Sequence, residues 1–271
     1  MSVHAFDAAI ALTPQGGDWW QGQTSPAYAN MIGPFGGVTA AQALNAVLQH
    51  PKLLGEPVAV TVNFAAALSD GPFTVQARPA RTNRSTQHWT VEVRQADQVV
   101  LTGTAFTALR RDTWGSTSEM PLPEGLPRPQ DVPAPEGRGR VEWINRYELR
   151  FVEGPFPTDW DGTDRGTSRT RLWLRDQPPR PLDFASLTAL SDVFFPRIWS
   201  RRATPVPIGT VSMTVYFHAG AQDLQRTGTG YLLGQAQAQA FRHGYFDQTA
   251  QLWNEGGELL ATTHQVVYYK E

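Results

Sequence analysis

The apolar positions of this chain fall into two similar series. In PFGGVTAAQALNAVLQH, Val38, Ala41, Leu44, Val47 and Leu48 recur at helical spacing. Pro34, Gly36 and Gly37 punctuate its start, and His50-Pro51 ends it. Its alanines would let a sheet lie close against it. Four alternating runs follow, VAVTVNFAAAL, PFTVQARPAR, TQHWTVEVRQ and VVLTGTAFTAL. Ser69-Asp70-Gly71-Pro72 and Ala96-Asp97-Gln98 supply turns between them. The pattern predicts a helix near Phe35 to His50 and then an antiparallel meander.

The second series is built around Pro181 to His218. From Leu182 to Trp199 the residues Leu182, Phe184, Ala185, Leu187, Ala189, Leu190, Val193, Phe194, Ile198 and Trp199 leave hardly any polar face. A helix apolar all round is one that the rest of the protein wraps. It carries one mid-helix carboxylate, Asp192, which is costly to bury without a hydrogen-bond partner. The strand-like runs GTVSMTVYFHAG, GTGYLLGQAQAQAF, YFDQTAQLWN and ELLATTHQVVYY come next, with a hairpin turn at Asn254 to Gly257. Sliding the two series together sets Asn63-Phe64 on Tyr216-Phe217, and VVLTGTAF over ELLATTHQ. The chain reads as an internal duplication, each half a long helix wrapped by an antiparallel sheet, an α+β arrangement.

Elsewhere the pattern is less regular. His4 to Leu12 reads as a short edge strand, and Gln15 to Asn30 as an irregular wrap. Val141 to Val152 and Thr170 to Arg175 read as strands. Pro121, Pro123, Pro127, Pro129, Pro133 and Pro135 mark a mobile surface linker. The expected division is therefore residues 1–110, a linker over 111–140, and residues 141–271.

Composition narrows the function classes. A net charge of -2 offers no general attraction to nucleic acid. The chain has no cysteine, which removes disulfides, thiolate metal sites and a cysteine nucleophile together. The start, MSVHAFDAAIALTPQGG, lacks the pattern of a signal peptide, and no apolar run approaches a membrane span. A cytoplasmic protein without membrane contact is the expectation. The six histidines form no H-x-x-x-H pair, so neither a metal nor another cofactor is expected. Neither a G-x-S-x-G elbow nor a phosphate-binding loop of the G-x-x-x-x-G-K type occurs.

What remains is polar side chains in apolar surroundings. Asp192 is the first, Thr210 at the head of a strand the second, and Gln265 inside TTHQVVYY the third. Each has an ordinary reading: a local hydroxyl partner for Asp192, a strand threonine, a solvent-facing glutamine. Strict alternation faces Val211, Met213, Val215 and Phe217 towards the helix and turns Thr210 away. Either a bulge at Gly209 re-aims Thr210, or the site lies between the two halves; the second is favoured, since ligands often bind at such interfaces.

The order of elements resembles the tandem hotdog acyl-CoA thioesterases of the thioesterase II type. PFGGVTAAQAL is similar to the family's first-helix pattern, ALSDVFF to its second-helix Ser-Asp run, IGTVSMTVYFH to its central strand, and LLATTHQVVYY to its last. The resemblance implies a double hotdog fold, an acyl-CoA substrate, and hydrolysis by a water that Asp192, Thr210 and Gln265 hold. Gly36 and Gly37, at the start of the first helix, would let substrate approach and suit the oxyanion. Phe106 stands where the second series has Gln265, so only one of two pseudo-equivalent sites is equipped. Arg78, Arg81, Arg84, Arg110 and Arg111 are candidates for the coenzyme's phosphates. Two rival readings are a hotdog hydratase, for which the expected Asp and His pair is missing, and a non-catalytic acyl-binding protein. Association into a homo-oligomer stays open.

Overall fold

The computed structural model describes residues 3–116, 119–134, 137 and 139–271. Of the positions read from sequence, Met1 and Ser2 of the N-terminal stretch and Pro135 of the Pro-rich stretch lie outside them.

In the first half, α1 (Ala5–Ala9) precedes a hairpin of β1 (Thr13–Gly16) and β2 (Trp19–Gln23). Then come α2 (Gly36–Leu48), β3 (Glu56–Phe64), β4 (Pro72–Thr82), β5 (Thr86–Gln95) and β6 (Gln98–Ala108). The second half has β7 (Tyr147–Glu153), β8 (Thr170–Asp176), α3 (Phe184–Leu190), α4 (Arg197–Arg202) and β9 (Ile208–Phe217). It ends with α5 (Ala221–Thr227), β10 (Leu232–Gln237), β11 (Phe241–Arg242), β12 (Tyr245–Asn254) and β13 (Leu259–Tyr269).

All recorded pairings are antiparallel and form one sheet, in the order β1-β2-β4-β5-β6-β3-β9-β13-β12-β10-β8-β7, with β11 on β12. The halves join at β3 and β9, where Thr61 and Thr214 face each other and share a hydrogen bond of 2.9 Å. The concave side wraps α2 and α3, whose ends are in contact. A methyl group on Gly37 would lie 2.7 Å from the Ala189 carbonyl oxygen, so only glycine lets the helices approach this closely. The core runs without a break from Val60 and Val62 on β3 to Met213 and Val215 on β9.

The duplication is visible in matching irregularities. β3 bulges at Val58 against β6, and β9 bulges at Val211 against β13. Superposing the bulges makes Val60 the counterpart of Met213. Val60 pairs with Ala105 and Met213 with Gln265. The counterpart of Gln265 is therefore Ala105, one residue from the expected Phe106, because Ala105 shares its inward-facing register.

Several expectations need correction. The expected His4–Leu12 strand is α1: the His4 ring nitrogen accepts from the Phe6 N–H as a cap, and Phe6 and Ala9 are buried. The expected wrap over Gln15 to Asn30 contains β1's end and β2, which extends the sheet beyond β4. The strand expected from Val141 begins only at Tyr147, after a 3-10 turn over Glu142–Arg146. In GTGYLLGQAQAQAF only Leu232–Gln237 is a long strand, and α5 was not anticipated.

The largest correction concerns Leu182 to Trp199, which is not one helix. α3 ends at Leu190, where the Ser191 hydroxyl bonds back to the Leu187 carbonyl, and Pro196 forbids a helical continuation before it. Asp192 thus sits in a turn just beyond α3. Counted from the first helical residue, its counterpart in α2 is Leu44, which is buried.

Residues 119–134 form a strap on the outer side of the second half. Val132 is buried in a cluster with Trp173, Tyr231, Leu233 and Trp253, and Leu122 and Leu126 pack on it. Trp253 and Trp173 donate their indole N–H groups to the carbonyls of Met120 and Pro127, both at 2.9 Å. Arg150 donates to those of Pro129 and Val132. The prolines of this stretch leave carbonyls that side chains of the sheet bind.

Candidate active site

The turn after α3 places the Asp192 carboxyl against the start of α2. The Gly37 N–H favours its charged form, and a methyl group on Gly36 would come within 2.9 Å of its Oδ2. From the other side the Gln265 amide Nε2 donates to Asp192 Oδ1 at 2.9 Å. Gln265 lies on the concave face of β13 because Ala261, Thr263, Gln265 and Val267 alternate inward, opposite outward-facing His264 and Val266.

Burial pushes the Asp192 carboxyl up to about 7, and the bonds from Gln265 and Gly37 only partly offset it. Such a group exchanges a proton near neutrality. Met213, fully buried, stands directly across from Gln265 on β9.

Thr210 reaches the same face by a bulge. Val211 is the extra residue, so Ser212 pairs with Val266 and Thr210 with the buried Val267. Residues directly opposite in an antiparallel pair point to one side, and Thr210 therefore faces inward with Val267. Val211, expected to face the helix, is instead exposed. The re-aiming bulge is at Val211 and not at Gly209. The Asp192 carboxyl also lies between the halves, since Gly36, Gly37 and Phe64 come from the first and Asp192 and Gln265 from the second. The Thr210 hydroxyl has no hydrogen-bond partner among the described residues, whereas Asp192 and Gln265 are directly bonded.

The five arginines are dispersed differently. The Arg110 guanidinium Nη2 donates to the carbonyls of Pro57, Phe217 and Ala219 at 2.9–3.0 Å, and its Nε lies 3.8 Å from the Glu56 carboxylate. It stitches β3 to the end of β9. Arg78, Arg81, Arg84 and Arg111 are exposed, on β4, the turn after it, and the segment after β6. β4 stands five strand spacings from β13 in the sheet order, which puts Arg78 and Arg81 far along the sheet from Gln265. Among the described residues no three His, Asp or Glu side chains gather as a metal would require.

Models of the acyl-CoA thioesterase N-terminal and C-terminal domains match residues 25–108 and 123–269. The chain belongs to the acyl-CoA thioesterase family. It is a thioester hydrolase with a double hotdog fold. A protein of unknown function with a hot dog fold from Alicyclobacillus acidocaldarius is 46% identical, with a TM-score of 0.92 over 100% of this chain and 99% of that one. The tesB protein of Mycobacterium avium subsp. paratuberculosis is 19% identical, with a TM-score of 0.78 over the whole of both chains. An acyl-CoA thioesterase II from Mycobacterium marinum is 16% identical, with a TM-score of 0.76 over 98% of each chain. At these last identities the likeness is one of fold. No curated protein matches the chain.

The sequence reading missed two features of this thioesterase. One is the Gly37 N–H on Asp192, for which the helix start was the only signal. The other is Gln248, buried on β12 directly opposite Gln265; its inward position in the alternation FDQTAQL was legible.

Proposed function

We propose that this chain hydrolyses an acyl-CoA thioester with a water activated by Asp192 and oriented by Gln265 and Thr210. The hydrogen bond between Gln265 and Asp192, on a carboxyl whose burial raises it to about 7, carries the reading.

In the proposed reaction the Asp192 carboxylate takes one proton from the water as its oxygen attacks the thioester carbonyl carbon. The electron pair of the carbonyl bond moves to oxygen, and the start of α2 at Gly36 and Gly37 offers positive dipole to that oxyanion. The intermediate then collapses, the carbon–sulfur bond breaks, and the proton held by Asp192 passes to the departing coenzyme A sulfur. The free acid and the thiol leave, and the carboxylate is restored. Thr210 accepts or donates one hydrogen bond to the water and is not covalently used. For the phosphates of the coenzyme, the exposed Arg78, Arg81, Arg84 and Arg111 are the partners to test first.

A panel of acyl-CoA esters of differing length, read by thiol release, tests the proposal. Release from at least one ester, lost in Asp192→Asn, is the expected result. Binding without thiol release would favour an acyl-carrying protein instead.

A further inference from the structure

Four buried polar atoms that have no hydrogen-bond partner among the described residues gather near the start of α3. They are the hydroxyls of Tyr28 and Tyr147, Asp176 Oδ1 and Arg180 Nη1. Alternation turns Leu172, Leu174 and Asp176 of β8 inward, and Tyr147 stands directly opposite Asp176 on β7. The Tyr28 ring meets that of Tyr147 edge-on at 6.1 Å. The other Asp176 oxygen, Oδ2, accepts from the Ser186 hydroxyl of α3 at 2.5 Å. Asp176 is 3% exposed, and burial pushes its carboxyl up to about 6, with Ser186, Arg180 and His4 only partly offsetting this. Polar groups this near, not bonded to one another in a dry core, are the partners an internal water takes, about two to four at a time.

Tyr147 links this cluster to the turn that carries Asp192. Burial first, and then the charges of Tyr28, Asp176 and Asp192, hold its hydroxyl well above the ordinary value. It therefore stays protonated and within electrostatic reach of both carboxyls. Its ring also packs edge-on against Phe35, the residue before Gly36, with centroids 6.0 Å apart. On the far side the cluster reaches solvent. Arg180 Nη2 donates to Asp7 at 2.7 Å and to Asp183 at 2.6 Å, and both carboxylates are half-exposed. His4 acts on Asp176 from α1's cap, and Arg146 acts on Tyr28.

Hydrolysis leaves one proton without a route. The attacking water brings two. Asp192 passes one to the coenzyme A sulfur, and the other stays on the new carboxylic acid. The acid can leave as a carboxylate only if that proton crosses the buried interior. We propose that Tyr147 and Asp176, with water between them, form a relay that carries this second proton from the product acid to solvent beside Asp7 and Arg180. The inference rests on the thioesterase reading and adds the proton's exit to it. The acid gives its proton to the water chain, the Tyr147 hydroxyl takes one up as it passes its own on, and Asp176 receives it. Tyrosine is neutral before and after. A carboxyl raised to about 6 accepts a proton from a carboxylic acid of ordinary strength, about 4, and gives it up again at neutral pH. Both residues act through water, as positioning residues, and not on the ester itself.

The test uses Tyr147→Phe and Asp176→Asn with an acyl-CoA that the wild type hydrolyses. Loss of thiol is the first irreversible step and precedes the exit of the second proton. In each variant kcat should therefore fall by about tenfold or more while kcat/KM stays within about twofold. Stopped-flow mixing should show a burst of thiol followed by the slow steady rate. Imidazole, added at fixed pH and ionic strength, should raise kcat of the variants and leave the wild type unaltered, because a soluble base replaces the relay. Circular dichroism checks that the variants fold. A merely structural role would lower kcat and kcat/KM together, with no burst and no response to imidazole, and would overturn the inference. So would a wild-type kcat in either variant. Both of these results leave hydrolysis at Asp192 standing. A wild type that releases no thiol from any ester removes the hydrolysis and the relay together.

Discussion

Gln265 and Asp192 are 73 residues apart and meet through a 2.9 Å hydrogen bond from amide nitrogen to carboxyl oxygen. One sits mid-strand, the other in a turn that Pro196 helps to hold open. Their meeting depends on the sheet curling over α2 and α3, on Gly36 leaving room for the carboxyl, and on Gly37 letting α2 approach Ala189 of α3. The contact couples the fold of the second half to the start of the first helix.

Asp192→Asn should lower kcat by about a thousandfold or more while acyl-CoA still binds. The amide keeps the shape but cannot take the water's proton. Single-turnover thiol release and calorimetric binding together check this. Near-wild-type kcat in the variant would remove Asp192 from its role.

The rate should depend on pH through the same carboxyl. kcat/KM should climb as pH approaches about 7 and level off above it, since only the ionised form is a base. Stability runs the other way. Because the folded-state value lies above the ordinary 3.8, the contribution of Asp192 is fullest below about pH 4 and is lost as pH rises through about 7. The gap of about three between the values, at about 1.4 kcal/mol each, is on the order of 4 kcal/mol. Asp192→Asn should therefore be the more stable protein at pH 8, with the advantage gone below about pH 4, as urea unfolding at the two pH values would read.

Much of this was legible in the sequence, and the rest was hidden for identifiable reasons. Most strands followed from alternation and turn residues, and the buried carboxylate from its apolar company; the order in the sheet did not, because β3 crosses to pair with β6 and β9 instead of with β4. The break after Leu190 was missed because Phe194, Ile198 and Trp199 continue an apolar pattern that periodicity alone reads as helix. Pro196 was the available signal. The inward turn of Thr210 could not be read, because a bulge shifts the two-residue period and leaves no mark in residue type. Gln248 was passed over because an inward glutamine matters only once its cross-strand partner is known.

Arg110→Ala should destabilise the protein by about 1–2 kcal/mol and leave the KM for an acyl-CoA unaltered. Its half-buried guanidinium is occupied by backbone carbonyls at the seam of β3 and β9. A combined Arg78→Ala, Arg81→Ala and Arg84→Ala variant tests the phosphate role separately. An unchanged KM there would withdraw these residues from the coenzyme site.

The bulge itself makes the most specific prediction. Thr210 faces inward only because Val211 is an extra residue against β13. Thr210→Val keeps the shape and loses the hydroxyl, so kcat should fall by about 10- to 100-fold with little change in the melting temperature. Thr210→Ser should recover most of the rate, because the hydroxyl and not the methyl group meets the water. Deleting Val211 should cost far more than either. Without the extra residue the start of β9 must slip by one, turning Thr210 outward and pulling the segment around Ile208 out of its packing with Phe246 and Val267. The deletion should therefore lower both the rate and the melting temperature, which the point variant does not. Full activity in Thr210→Val would confine the water to Asp192 and Gln265 and make the bulge a feature of the fold alone.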